Sequence, residues 1–217
     1  DNPFLSHAFL SALEESGSAT AQTGWQPVPV AIDADDGSLA AVMPAYVKSH
    51  SQGEYVFDHA WANAYSRVGR HYYPKLQIAV PFTPVPGRRL LSSDPRRAPQ
   101  LISAAETIVQ QNHLSSAHAT FIAEEEVPLF DAAGWLIRID TQFHWHNEGF
   151  ASFEDFLATL ASRKRKAIRK ERASAVEGLD ILWVSGADIT ERHWDAFWRF
   201  YQDTGSRKWG RPYLTRR

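Results

Sequence analysis

Residues 27–43 read Pro-Val-Pro-Val-Ala-Ile-Asp-Ala-Asp-Asp-Gly-Ser-Leu-Ala-Ala-Val-Met. Two short apolar runs, Pro27 to Ile32 and Leu39 to Met43, flank Asp33-Ala34-Asp35-Asp36-Gly37, a turn cluster that joins antiparallel strands. Working outward, Asn2-Pro3 reads as a cap and first residue of a helix through Phe4, Phe9, Leu10 and Leu13, stopping near Gly17. Downstream, the pattern predicts a strand over Glu54 to Phe57, a helix from His59 to Val68, and a strand from Lys75 to Phe82 ended by prolines at 81, 84 and 86. A helix from Gln100 to Asn112, a strand near Ala117 to Ala123, a helical turn at Val127 to Ala132 and a strand from Trp135 to Trp145 follow. Antiparallel pairs combined with a strand–helix–strand crossover call for an α/β fold of the α+β kind, a mixed sheet flanked by helices.

Beyond residue 150 the spacing of Phe153, Phe156, Leu157, Leu160, Ala167, Ile168, Ala175 and Val176 predicts one helix from Ser152 to Glu177. Ser152 and Asp155 read as its capping box, and Gly178 with Leu179 as its stop. Seven of the ten residues from Arg163 to Arg172 are Lys or Arg. In a single helix they fall in the C-terminal half, where cations complement the macrodipole, in excess of what that requires. A strand from Leu179 to Val184 and a helix from Asp188 to Asp203, opened by Asp188 and Glu191, complete the chain. Trp194, Phe197, Trp198 and Tyr201 make a helix face expected to be core.

The 217 residues carry 23 Lys+Arg against 25 Asp+Glu, but unevenly: residues 1–162 hold 9 basic and 18 acidic side chains, residues 163–217 hold 14 and 7. This split suggests two units with different tasks and an anionic ligand between them. The absence of cysteine excludes disulfides, thiolate nucleophiles and sulfur-ligated metals. No apolar run reaches the roughly 18 residues of a membrane span, and no leader pattern is present, so the expectation is a cytoplasmic protein. A start at Asp1 without Met suggests a fragment.

The blocks 46–62, 72–91, 143–172 and 193–216 together resemble the FemAB-like family, described as peptidoglycan biosynthesis or recognition proteins and regarded as N-acyltransferases built from acetyltransferase-like (GNAT) units. The resemblance implies one GNAT-like unit over residues 1–150 and the opening elements of a second over 151–217. It implies transfer of an acyl or aminoacyl group to an amine, with acyl-CoA or aminoacyl-tRNA as co-substrate, no permanently bound cofactor, and an anionic small molecule or glycan precursor as partner. In such units the strand corresponding to Lys75–Phe82 and the loop after it hold the donor's phosphates through backbone amides. Here that loop, running to Leu91, has one glycine and three prolines, unlike the usual Gln/Arg-x-x-Gly-x-Gly/Ala, and prolines remove donors. Arg88 and Arg89 are its candidate phosphate contacts, against solvated loop charges.

Amine acyl transfer needs a base for the ammonium proton and donors for the oxyanion. The stretch from Lys48 to His59 supplies His50, Glu54, Asp58 and His59 as candidate catalytic groups, with Lys48 and Lys75 as substrate contacts; a solvated polar loop is the alternative. On a strand, Tyr55 and Phe57 would share one face and Glu54 and Asp58 the other. His144 and His146 share a strand face, but Glu148 follows by only two residues and no third ligand is set, so the expectation is no metal, with His144 and His146 lining a groove between the units as substrate contacts or satisfying one another and Glu148 at a sheet edge. In the basic run Lys164, Arg165 and Arg169 are read as meeting an anionic precursor, a donor phosphate or the acidic first unit, against simple solvation of several of these charges. No base-reading motif accompanies them, and no broad apolar face supports a membrane role. Arg207 and Lys208, in a polar loop Thr204 to Pro212, are further candidate anion contacts, against solvated loop charges. The competing class is a non-catalytic module that binds an anionic glycan precursor or nucleic acid through the basic helix.

Overall fold

The computed structural model describes residues 2–208 and 212–216. It divides into two compact units, residues 1–138 with 201–217, and residues 139–200. In the first, β1 (Trp25–Pro27), β4 (Ala45–Lys48), β5 (Lys75–Ile78) and β7 (Ala117–Ala119) form a sheet in that order, while β2 (Val30–Asp33), β3 (Leu39–Met43) and β6 (Leu91–Ser92) form a second. The predicted hairpin is β2–β3, with Val30 opposite Met43 and a register shift at Ile32/Asp33. β1, β4 and β5 pair antiparallel and β5 and β7 pair parallel, so the sheet is mixed. The connection between the parallel strands runs through α3 (Ala98–Gln111).

Strand alternation sorts β5 into two faces. Leu76 and Ile78 join Met43, Ala45, Leu101, Ile102 and Phe130 in the main core. Lys75 and Gln77 face the other way. That face is covered too, so all four residues of β5 are buried. A second apolar cluster of Leu13, Ala19, Trp25, Tyr46 and Ala79 lies beside α1 (His7–Glu15).

The ends of elements show where local signals suffice. Asn2 does accept from Phe4 N, but it opens only a short 3-10 turn, and Ser6 caps α1. The helices α2 (His59–Arg67), α3 and α4 (Val127–Ala132) lie where predicted. The strand expected over Glu54 to Phe57 is a loop, with Tyr55 at φ 55°.

In the second unit the capping box of Ser152 and Asp155 is formed, and Gly178 turns left-handed at φ 71°. The single helix expected between them is instead α5 (Phe153–Ala158) and α6 (Ser162–Ala175). At the break the Thr159 hydroxyl donates to Phe156 O and Ala161 turns extended, a side-chain competition that interrupts helices. The basic run therefore occupies the start of α6, and Arg163 to Arg165 sit where the macrodipole disfavours cations, not where it welcomes them.

The segments 135–145 and 179–184 form no strand: Leu136, Ile139 and Phe143 are exposed, as are Leu182 and Trp183. Alternation alone does not make a strand; a hydrogen-bonded neighbour does, and none pairs with either segment among the described residues. The last helix, α7 (Glu191–Arg207), begins after Thr190 rather than at Asp188 and runs past Asp203. Its expected core face is only partly covered, with Trp194 46% and Phe197 57% exposed. Among the described residues no helix is long and apolar enough to cross a membrane.

Candidate functional site

Antiparallel register sets Trp25, Lys48 and Lys75 side by side across β1, β4 and β5. Two lysines directly opposite each other repel, and both are buried. The loop after β4 resolves the conflict by bringing two carboxylates to them. Lys75 Nζ donates to Glu54 Oε2 at 2.8 Å, Asp58 Oδ2 at 2.7 Å and Ser51 Oγ at 3.1 Å, which uses all three of its protons. Lys48 Nζ lies 3.5 Å from the Trp25 ring centroid, donates to Gln52 O at 3.3 Å, and stands 4.0 Å from Glu54 Oε1. Ser51 and Tyr72 also donate to Asp58 Oδ2. Two cations and two anions thus share one water-poor face of the sheet.

The balance is uneven in detail. Burial pulls Lys48 down to about 7, against the pull of Glu54 in the other direction. Burial raises Glu54 despite Lys75. Burial also acts to raise Asp58, but hydrogen bonds and charge from Lys75, with Ser51 and Tyr72, hold it below the usual carboxylate value. His118, on neighbouring β7, is held down to about 4 by burial and by Lys75. Among the described residues, Glu54 Oε1, Asp58 Oδ1 and Gln77 Oε1 are buried acceptors with no hydrogen-bond donor. These are the open valences of the cluster.

Four residues read from the sequence, Lys48, Lys75, Glu54 and Asp58, therefore meet. The two neighbouring histidines do not join them. His50 Nε2 lies 3.1 Å from Thr23 O and its Nδ1 accepts from Gln52 N, with its ring packed so closely on Gly24 that a Cβ there would stand 2.3 Å away. His59 is exposed at the start of α2. Ser51, Tyr72, His118 and the ring of Trp25 are members that sequence reasoning missed. Only register reveals Trp25 and His118, although the spacing of Ser51 within the Lys48 to His59 stretch was a usable signal.

The loop after β5 separates its two arginines. Arg88 lines an open cleft of about 560 Å³ with Asn2, Leu5, Pro86, Gly87, Ala123 and Glu125. Arg89, expected at the surface, is instead completely buried. Its guanidinium donates to the carbonyls of Thr120, Gly87, Arg88 and Val85. Those carbonyls satisfy the buried guanidinium, while Glu126 fixes the backbone: its buried carboxylate accepts from Arg89 N at 2.9 and 2.8 Å and from Leu90 N at 2.8 Å. The two backbone amides that would form part of a phosphate cradle are thus already bound to an anion of the chain. Phe82 and Phe121, just past the carboxyl ends of β5 and β7, are left-handed at φ 60° and 52°. Bulky residues rarely adopt this conformation, and such strain clusters at functional sites.

In the second unit α6 divides its cations by face. Arg165, Arg169 and Arg172 recur at i, i+4, i+7 and turn toward α5. Arg165 donates to Ala158 O, Arg169 pairs with Glu154, and Arg172 lies 4.3 Å from the Phe153 ring centroid. Arg163, Lys164, Lys166 and Lys170 are exposed and make no ion pair among the described residues. His144 and His146 are exposed, with rings 6.4 Å apart. Arg207 lies in the last turn of α7, not in a loop, and pairs with Asp203; Lys208 is exposed just beyond it. The rest of the expected loop, residues 209–211, lies outside the described residues. No group of three or more His, Asp or Glu placed to hold a metal occurs among the described residues.

A family model named FemAB-like and described as peptidoglycan biosynthesis/recognition matches residues 1–217. No curated protein and no solved structure matches the chain.

Proposed function

The chain belongs to the FemAB-like family of peptidoglycan biosynthesis and recognition, and we propose on that premise that it serves N-acyl or aminoacyl transfer to an amine of an anionic peptidoglycan precursor. In this reading residues 1–150 are a GNAT-like unit and residues 151–217 open a second. The observation that carries it is the convergence of Lys48, Lys75, Glu54 and Asp58 on one sheet face, with one oxygen of each carboxylate lacking a donor. An amine is a donor that such oxygens accept. As the amine attacks the acyl carbon, a C–N bond forms, the bond to the leaving thiol or ribose oxygen breaks, and the ammonium proton passes to a base. Glu54 is the base we assign: burial raises its proton affinity and its Oε1 is open. Asp58, held low by Lys75, keeps its charge and orients the amine.

The cleft beside Arg88 supports a donor site, because ligands of open α/β sheets bind beyond the carboxyl ends of parallel strands. It offers a donor the Arg88 side chain rather than an amide cradle, since Glu126 takes the amides of residues 89 and 90. Calorimetry of the full protein against acyl-CoA, aminoacyl-tRNA and a soluble muropeptide tests the reading. Binding of a donor, weakened by Arg88→Ala, together with Glu54→Gln abolishing transfer but not muropeptide binding, is expected. No binding of any donor would sink it.

The exposed cations of α6 favour a second reading, a recognition module for a polyanion. Its mark is affinity that falls steeply with salt and is indifferent to nucleotide sequence.

A further inference from the structure

The charge cluster is roofed by aromatic rings. Phe82 lies so close over Gly53 that a Cβ there would stand 2.6 Å from the ring, and Phe82 N donates to Gly53 O at 3.2 Å. Beneath it, Trp25 meets Phe82 edge-on at 5.4 Å and covers Lys48. On its other side Tyr213 stacks on Phe82 at 4.9 Å with planes 11° apart, and Tyr55 packs edge-on against Tyr213 at 6.3 Å.

Tyr213 reaches this roof from far along the chain, on a segment that belongs to no helix or strand. Among the described residues it is fastened to Tyr201, Ser16 and Ser18. The Tyr201 hydroxyl accepts from Tyr213 N at 2.8 Å and Leu214 N at 3.1 Å. Thr215 N donates to Ser18 Oγ at 3.1 Å, and the Thr215 hydroxyl to Ser16 O at 2.9 Å. A segment held outside any helix or strand, with the bonds of Leu214 N and the Thr215 hydroxyl in exposed positions, opens at lower free energy than the fold it covers. The two rings it clasps, Tyr55 and Phe82, are both left-handed, at φ 55° and 60°. Such conformations persist only while surrounding contacts enforce them. Behind the roof lie acceptors that no donor reaches in the closed form.

We propose that residues 212–216 are a strap closing over the Gln52–Tyr55 loop, and that its release lets Phe82 and Tyr55 swing away, frees Trp25 from its contact with Phe82 so that Lys48 is uncovered, and admits an amine to Glu54 and Asp58. The destination of the amine rests on the transfer reading above; the strap itself does not. Labelling of the whole chain with an amine-reactive acylating reagent, read lysine by lysine by mass spectrometry, separates the two. In Tyr213→Ala combined with Thr215→Ala, Lys48 is expected to label about tenfold faster, the scale of losing an aromatic stack and its fastening bonds. Lys164, exposed already, labels at an unchanged rate. Tyr213→Leu alone, which keeps the backbone bonds to Tyr201, gives a smaller rise and serves if the double variant fails to fold. Unchanged Lys48 labelling in a folded variant overturns the strap. An accelerated Lys48 in a protein without transferase activity would keep the strap and discard the transfer reading.

Discussion

Lys48 and Lys75 on the sheet and Lys164, Lys166 and Lys170 on α6 are the same residue type under opposite conditions. The first pair is sealed under rings and loop, each lysine facing a carboxylate; the second group stands in water without one among the described residues. The difference teaches that a dense run of charge is the weaker sign of chemistry. Solvent screens exposed cations cheaply, whereas a buried cation demands a designed partner. Two buried lysines, each met by a carboxylate, therefore say more about a site than seven basic residues within ten.

The largest test of that contrast removes a buried cation. Lys75→Met leaves Glu54 and Asp58 facing each other without their shared donor, and urea unfolding should show a loss of about 3–5 kcal/mol. Glu126→Gln removes the charge opposite Arg89 and should cost about 1.5–3 kcal/mol in the same measurement. Acidity sharpens the comparison further. Lys48 titrates near 7 when folded against 10.5 ordinarily, so between those values the unfolded chain binds more protons and stability rises with pH. Lys48→Met should flatten that rise, as checked by unfolding both proteins at about pH 7.5 and about pH 9.5. The smallest effect belongs to α6. Replacing Arg163, Lys166 and Lys170 together by Gln should leave the thermal midpoint where it was, while lowering any salt-dependent affinity for polyanions. A large fall in stability would mean that the exposed stripe has a structural partner after all.

Much of the fold was legible because its signals are local. The Asp-rich turn between two apolar runs specified a hairpin; the Ser152 capping box specified a helix start and the apolar spacing of residues 100–112 a helix. Reading failed where a segment's state depends on what lies beside it. Residues 135–145 and 179–184 have strand patterns but no paired neighbour, and the continuous helix through Thr159 lost to a side-chain hydrogen bond that periodicity does not register. At the candidate site, Lys48, Glu54 and Asp58 were named from residue type and clustering, and Lys75 was named apart from that cluster. Their pairing was not, since it follows from the register of β4 on β5. Arg88 and Arg89 are adjacent and chemically identical, yet one lines a cleft and the other is locked under Glu126, a residue 37 positions away.

By itself the amino-acid sequence determined a mixed α/β chain, its hairpin, most of its helices and the kinds of side chain available for amine chemistry, because turns, caps and periodicity act over a few residues. Only the tertiary structure decided which charges are buried, which oxygens are left open and which rings cover them. Burial and counter-charge are set by strands and loops far apart in sequence, and a lysine carries no local mark of the carboxylate that will meet it.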